Sequence, residues 1–149
     1  MLTQIEGIHH ITSMARDAQE TDRFITGTLG LRRVKKTVNF DAPDVYHLYY
    51  ANGVGAPGTV MTYFPFPNIV AGSRGAGEVG TTVYAVPEGS LDYWTKRFDE
   101  HNVTGVARET RFGETRLRFD GIDGDGFALV ETKDDAHAPW DGAGIDADV

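Results

Sequence analysis

Cysteine is absent from the 149-residue chain, which excludes disulfides, thiolate metal sites and a cysteine nucleophile. Positive charge is scarce. Lys and Arg total 14 against 22 Asp and Glu, for a formal net charge of −8, and that balance opposes a nucleic-acid backbone or an anionic membrane as the main partner. No apolar run approaches the length needed to span a bilayer, and Met1-Leu2-Thr3-Gln4-Ile5-Glu6 lacks the basic start and apolar stretch of a secretion signal. A cytoplasmic location is the resulting expectation. Neither Gly-x-Ser-x-Gly nor His-Glu-x-x-His occurs, so hydrolase chemistry has no support. The Gly72–Gly77 segment lacks the Gly-Lys-Ser/Thr ending of a phosphate loop. Asp123-Gly-Asp-Gly126 lacks the later ligands of an EF-hand and reads as a turn.

What is present has the balance of a globular domain, 40% hydrophobic and 24% charged, and enough length for a core of its own. The chain divides into two similar units. The first, residues 1–67, reads as a strand over Glu6–Ala15, a helix over Ala18–Leu29 stopped by Gly30, and strands over Leu31–Phe40, Val45–Ala51 and Thr59–Phe64. A flexible Gly-rich connector covers 68–77. The second unit, 78–133, begins with a strand over Val79–Val86 and a turn in which Ser90 is the expected helix N-cap. A helix over Leu91–His101 and strands over Val103–Thr110, Thr115–Phe119 and Phe127–Thr132 follow. Shifting the first unit by 72 places lays Glu6 on Glu78 and His10 on Thr82. The expected fold class is therefore α+β, with two tandem βαβββ units whose curved mixed sheets carry flanking helices and form a cup. Residues 134–149 form an acidic tail.

The chemical signal is His9-His10 within Gly7-Ile-His-His-Ile-Thr-Ser13. Strand alternation puts Ile8, His10, Thr12 and Met14 on one face and His9, Ile11 and Ser13 on the other. Neutral imidazole is the commonest transition-metal ligand, although a lone histidine in a half-buried strand is more often a hydrogen-bonded structural residue. His47, among Tyr46, Tyr49 and Tyr50, fits either an aromatic-lined cavity or an ordinary aromatic-rich strand. His101 closes a helix, where its charge suits the dipole, and His137 in the tail carries no signal. The basic cluster Arg32, Arg33, Lys35 and Lys36 splits across two strand faces and reads as a solvated edge.

Several stretches, in order along the chain, resemble the vicinal oxygen chelate superfamily of glyoxalase I, bleomycin-resistance proteins and extradiol dioxygenases. They are Gly7–Thr12, Arg33–Thr37, Tyr46–Tyr49, Gly55–Thr62, Tyr84–Leu91, Thr110–Gly113 and Phe127–Glu131. Within the superfamily they are most similar to ring-cleaving dioxygenases acting on hydroquinones. The resemblance implies a non-haem Fe(II) held by two histidines and a carboxylate, with Mn(II), Ni(II) and Zn(II) less favoured, and a small aromatic substrate that reacts with O2. It makes His10 the metal ligand, with His9 and Thr12 beside it in catalytic roles and His9 moving a proton.

In that subfamily the chain is about twice as long, and two further units beyond a linker supply the other histidine and the glutamate. The tail here resembles that linker. The implied protein is thus the N-terminal half of a ring-cleaving dioxygenase, completed by a C-terminal half carrying the remaining ligands. Shorter glyoxalase-like relatives instead complete sites as homodimers from four strand positions. These fall near His10, Thr62, Thr82 and Ala128, of which His10 alone is a competent ligand, while Glu131 lies on the opposite strand face from Ala128. Two alternatives stay open on the sequence: a homodimeric, metal-dependent isomerase or lyase of the glyoxalase type, and a metal-free binding protein like the bleomycin-resistance proteins.

Overall fold

A computed structural model describes residues 4–133 together with Gly142, Gly144 and Ile145. Strand β1 (His10–Ala15) leads into a short helix α1 (Ala18–Asp22), which continues as a π-helical segment, Arg23–Thr28, before β2 (Arg32–Val38), β3 (Tyr46–Ala51) and β4 (Val60–Pro65). The order repeats with β5 (Thr82–Pro87), α2 (Leu91–Glu100), β6 (Ala107–Arg111), β7 (Glu114–Asp120) and β8 (Gly126–Thr132). Each unit forms a four-stranded sheet, β1-β4-β3-β2 and β5-β8-β7-β6, in which the first and last strands of the unit pair in parallel and the other neighbours antiparallel. This is the α+β architecture of two βαβββ units that the repeat in the sequence predicts.

One face of each sheet is apolar because alternate residues are. Ala15, Leu48, Tyr50, Met61 and Tyr63 of the first sheet join Val86, Leu117, Phe119, Phe127 and Leu129 of the second in a single core. The helices cover it with Ile25, Leu29, Leu91, Trp94 and Phe98. In α2 those residues recur at helical spacing, so one stripe is buried and the opposite face stays charged.

The first helix departs from the single α-helix expected over 18–29. Asp17 caps it, accepting from the backbone N–H groups of Gln19 and Glu20 at 2.7 and 2.8 Å. Beyond Asp22 the Thr26 hydroxyl takes the Asp22 carbonyl at 2.6 Å, and the Leu29 N–H reaches back five residues to the Phe24 carbonyl. That five-residue reach is the hydrogen-bond pattern of a π-helix. It ends at Gly30 with φ of +73°, and the last carbonyls are closed from the second unit: Arg97 donates to Gly27 O at 2.6 Å and Thr28 O at 2.8 Å. The same guanidinium holds the Gly144 carbonyl at 2.7 Å, and Ile145, 8% exposed, packs on Gly30 where any side chain would stand.

Three local expectations are corrected, and the basic edge keeps its expected split across two faces. The first strand begins at His10 and not Glu6, leaving His9 in the lead-in, where its carbonyl accepts from the Gly58 N–H at 2.9 Å. Ser90 does not cap α2. Its hydroxyl donates to Pro87 O, and the Leu91 N–H is met by the Glu131 carboxylate at 3.1 Å. A bulge at Val34 makes Arg33 partner Tyr50 and Lys35 partner Tyr49, so the basic cluster divides as Arg32 with Lys35 and Arg33 with Lys36, still on an edge strand. Finally, Thr82 lies on the same side as the core residues Tyr84 and Val86, so the 72-place shift is out of step by one face with His10.

The two units meet where the β7–β8 turn touches β1. Ser13 donates to Asp125 at 2.7 Å, and Arg16 bonds Asp123 through Nε at 2.6 Å and through its backbone N–H at 3.1 Å. The Tyr63 hydroxyl also bonds Asp125. Burial pushes the Asp125 carboxyl above its ordinary value of 3.8, against the pull of the Ser13 and Tyr63 hydrogen bonds.

Because the native state keeps that proton to higher pH than the unfolded chain, the Asp125 contribution to stability falls as pH rises through the window above 3.8. In urea denaturation between about pH 4 and about pH 7, the stability of the wild type minus that of Asp125→Asn is expected to decline with pH. A flat difference would show that Asp125 is not held up by burial. A second prediction concerns Gly30. Gly30→Ala places a side chain at positive φ and against Ile145, with an expected loss of about 1–3 kcal/mol. Adding Ile145→Ala should remove the contact and leave the backbone strain, so the two losses should sum to more than the double variant shows.

Candidate functional site

The parallel register of β1 on β4 pairs His10 with Val60, Thr12 with Thr62 and Met14 with Phe64. Those six side chains share the sheet face turned away from the helices, and β3 adds Tyr49 opposite Thr62. Thr12 and Thr62 share a hydrogen bond of 2.8 Å between hydroxyls, and Thr62 is completely buried. Next to them the Tyr49 hydroxyl meets His47 Nδ1 at 2.8 Å. The His47 ring lies against both Tyr49 and Phe64, with centroids 4.1 Å away in each case.

His10 stands exposed at the start of β1, with His9 beside it. Their rings meet edge to face at 5.2 Å, and the two Nδ1 atoms are 3.1 Å apart. Alternation had placed the two rings on opposite faces. They touch because His9 precedes the strand and is free of its pleat. A contact between two ring nitrogens requires one to carry the proton and the other to accept it. With His10 Nδ1–H donating to His9, His10 Nε2 keeps a free lone pair, the state a metal ligand requires.

The structure thus brings His9, His10, Thr12 and Thr62 to one side of one sheet. It does not bring Thr82 there, since that residue faces the core, and Ala128 lies on the other sheet. Glu131 is committed to the N-terminus of α2, and His101 Nδ1 is 3.2 Å from the Thr28 hydroxyl, a structural contact between the helices. His137 lies outside the described residues. Among the described residues no group of three or more His, Asp or Glu side chains is gathered as a metal would need. The donor set is one histidine with a second imidazole behind it. That fits a single coordination position and does not fit a complete metal centre.

His47 is the residue whose importance the sequence left open. Its Nε2 is buried without a partner among the described residues, and burial, then His10, then Lys35 lower its pKa below the ordinary 6.5, which favours the neutral imidazole. The signal was present as His47-Leu-Tyr49, the period-two spacing that brings both rings to one face.

No family model matches the chain. Solved structures show the fold. A glyoxalase-family protein from Enterococcus faecalis superposes with a TM-score of 0.67 over 85% of this chain and 98% of its own, at 17% identity. The manganese-containing fosfomycin resistance protein FosX of Listeria monocytogenes superposes with a TM-score of 0.63 over 85% of this chain and 92% of its own, at 16% identity. These likenesses show that the chain shares the paired βαβββ fold of those glyoxalase-type structures.

More particular relatives are ring-cleaving dioxygenases. The provisionally named ring-cleaving dioxygenase MhqE of Bacillus subtilis is 44% identical over 140 residues, which are 94% of this chain and 46% of that protein. The chlorohydroquinone/hydroquinone 1,2-dioxygenase of Sphingobium indicum is 40% identical over 93% of this chain and 44% of its own length. A crystal structure of a provisionally named Bacillus subtilis dioxygenase superposes with a TM-score of 0.90 at 42% identity, covering 95% of this chain and 46% of that one. The chain spans about half the length of the curated relatives it matches.

The Thr12–Thr62 bond gives a direct test of this face. Thr12→Val should leave the buried Thr62 hydroxyl unpaired and lower stability by about 1–2 kcal/mol in urea denaturation, while Thr12→Ser should restore most of the loss. Equal stability of the Val variant and the wild type would mean that the two hydroxyls do not bond.

Proposed function

We propose that this chain is the N-terminal half of a ring-cleaving dioxygenase for hydroquinone- or catechol-type aromatics and contributes His10 as one ligand of a metal held with a second, C-terminal half. The observation that carries this reading is the paired His9-His10 at the head of β1, with Thr12 on the His10 face, in a chain more than nine-tenths of which is matched by MhqE. A metal bound there, taken as Fe(II), would acidify the substrate hydroxyl and bring it together with O2.

The chain's own residues have separate tasks. His10 offers Nε2 to the metal, with the ring oriented from behind by His9. His9, exposed and bonded to His10, is positioned to take or return a proton. Thr12, anchored on buried Thr62, presents a hydroxyl on the same face. The remaining histidine and carboxylate come from outside this chain, and the segment after β8 is the connector toward them. The reading includes a cytoplasmic location. A homodimer would duplicate His10 without adding a carboxylate, so self-sufficient glyoxalase-type chemistry is disfavoured.

The experiment joins this chain to the part of MhqE that it does not match and follows O2 uptake with hydroquinone after anaerobic Fe(II) loading. The chimera should consume O2, His10→Ala should lose at least about tenfold in metal affinity, and the isolated chain should show no saturable Fe(II) binding. Tight one-to-one Fe(II) binding by the isolated chain, lost in His10→Ala, would overturn the half-site reading.

A further inference from the structure

We propose that His47, framed by Tyr49 and Phe64, is a binding contact for the hydroxyl of an aromatic ring, with the imidazole Nε2 making the hydrogen bond. This deepens the dioxygenase reading by assigning part of the substrate site to the sheet of this half, and it rests on that reading for the identity of the ring.

The argument begins with an unpaired atom. His9, His10 and His101 each have a partner for at least one ring nitrogen, and so does His47 at Nδ1. Nε2 of His47 differs because it has no partner among the described residues and is covered by neighbouring side chains, which a ligand has to displace to reach it. A buried polar atom left unpaired costs about 1–3 kcal/mol; Trp94 Nε1 is the other such atom among the described residues, but it lies in the core and not on this face. The ring is not free to turn toward another acceptor, because it is held between two aromatic neighbours at 4.1 Å and pinned at Nδ1 by the Tyr49 hydroxyl. With that hydroxyl donating to Nδ1, the proton of the neutral imidazole sits on Nε2 and is offered to an oxygen.

The surroundings select the ligand. Phe64, Met14 and Val60 give the face an apolar floor, and the Tyr49 and Phe64 rings suit contact with another ring. Lys35, paired with Tyr49 across β2–β3, holds its ammonium 5.3 Å from the Tyr49 ring centroid. Its positive field favours an acceptor oxygen with anionic character, as in an acidified phenol. An aliphatic or oxygen-free ligand could fill the floor but would leave Nε2 unpaired. The face is continuous with Thr12 and His10 through the β1–β4–β3 register, so a ring bound at His47 lies on the same side of the sheet as the proposed metal ligand.

The test uses the 149-residue chain with 15N-labelled histidines, titrated with hydroquinone and, separately, with toluene, a ring without oxygen. Hydroquinone should shift the His47 Nε2 resonance saturably, and toluene should not. His47→Phe keeps an aromatic ring in the slot and should bind hydroquinone about tenfold more weakly. His47→Gln places an amide near the Nε2 position and should recover part of the affinity, which a merely structural role would not produce. Unmoved His47 signals up to the solubility limit of hydroquinone, or equal affinity in His47→Phe, would overturn the proposal. The chimera assay separates the two readings. A His47 shift without O2 uptake keeps the hydroxyl contact and removes ring cleavage, whereas O2 uptake indifferent to His47→Phe does the reverse.

Discussion

Strand β1 is an edge strand, and the rest of the candidate site depends on how that edge is held. In the order β1-β4-β3-β2 it has a ladder partner on one side only. Its other side is secured by the opposite unit, through Asp125 on Ser13 and Asp123 on Arg16. Ser13 points to the core side while Thr12 and His10 point away from it, so the clamp fixes the strand without occupying the functional face. An edge strand without such a clamp frays readily, and its first residue, here His10, would fray first. The doubled βαβββ unit is therefore more than a way of burying two apolar sheets. The second unit supplies the turn that immobilises the strand at whose head the first carries His9 and His10.

Much of this architecture was legible because the repeat is written in hydrophobic periodicity. Leu91, Trp94 and Phe98 announce a helix, and Val60–Pro65 and Phe127–Leu129 announce buried strands, since few other arrangements bury such runs. At Ser90 a distant partner outweighs the local preference. Ser90 is a good N-cap by type, yet the Glu131 carboxylate, forty residues away, reaches the Leu91 N–H instead. Asp123-Gly-Asp-Gly126 is a turn, as its residues suggest, but nothing local says that its two carboxylates face Ser13 and Arg16 of the other unit.

The histidine pair shows the same limit at finer scale. Sequence identified His10 by its neighbours, and alternation then separated it from His9. The strand begins one residue later than that argument needs, so the His9 ring turns back onto His10. An error of a few residues in a strand boundary is harmless for the fold but decides whether two imidazoles touch. His47 was undecidable for a related reason, because an aromatic-rich strand and an aromatic-lined site share one sequence pattern. They differ in whether a ring nitrogen is left unpaired, and only three-dimensional packing reveals that.

Among the described residues no carboxylate joins the His9-His10 pair, and six of the chain's acids are engaged elsewhere in the fold. Asp17 caps the first helix, and Asp22 accepts from Arg33 and the Tyr50 hydroxyl. Asp123 and Asp125 hold the seam, Glu109 neutralises the nearly buried Arg116, and Glu131 closes α2. Moving any of these toward His10 would strand a buried cation, a hydroxyl or a helix terminus, at a cost comparable to that of losing a charge-assisted hydrogen bond. These six acids are therefore held in place by the fold, and among the described residues none of them gathers with the His9-His10 pair.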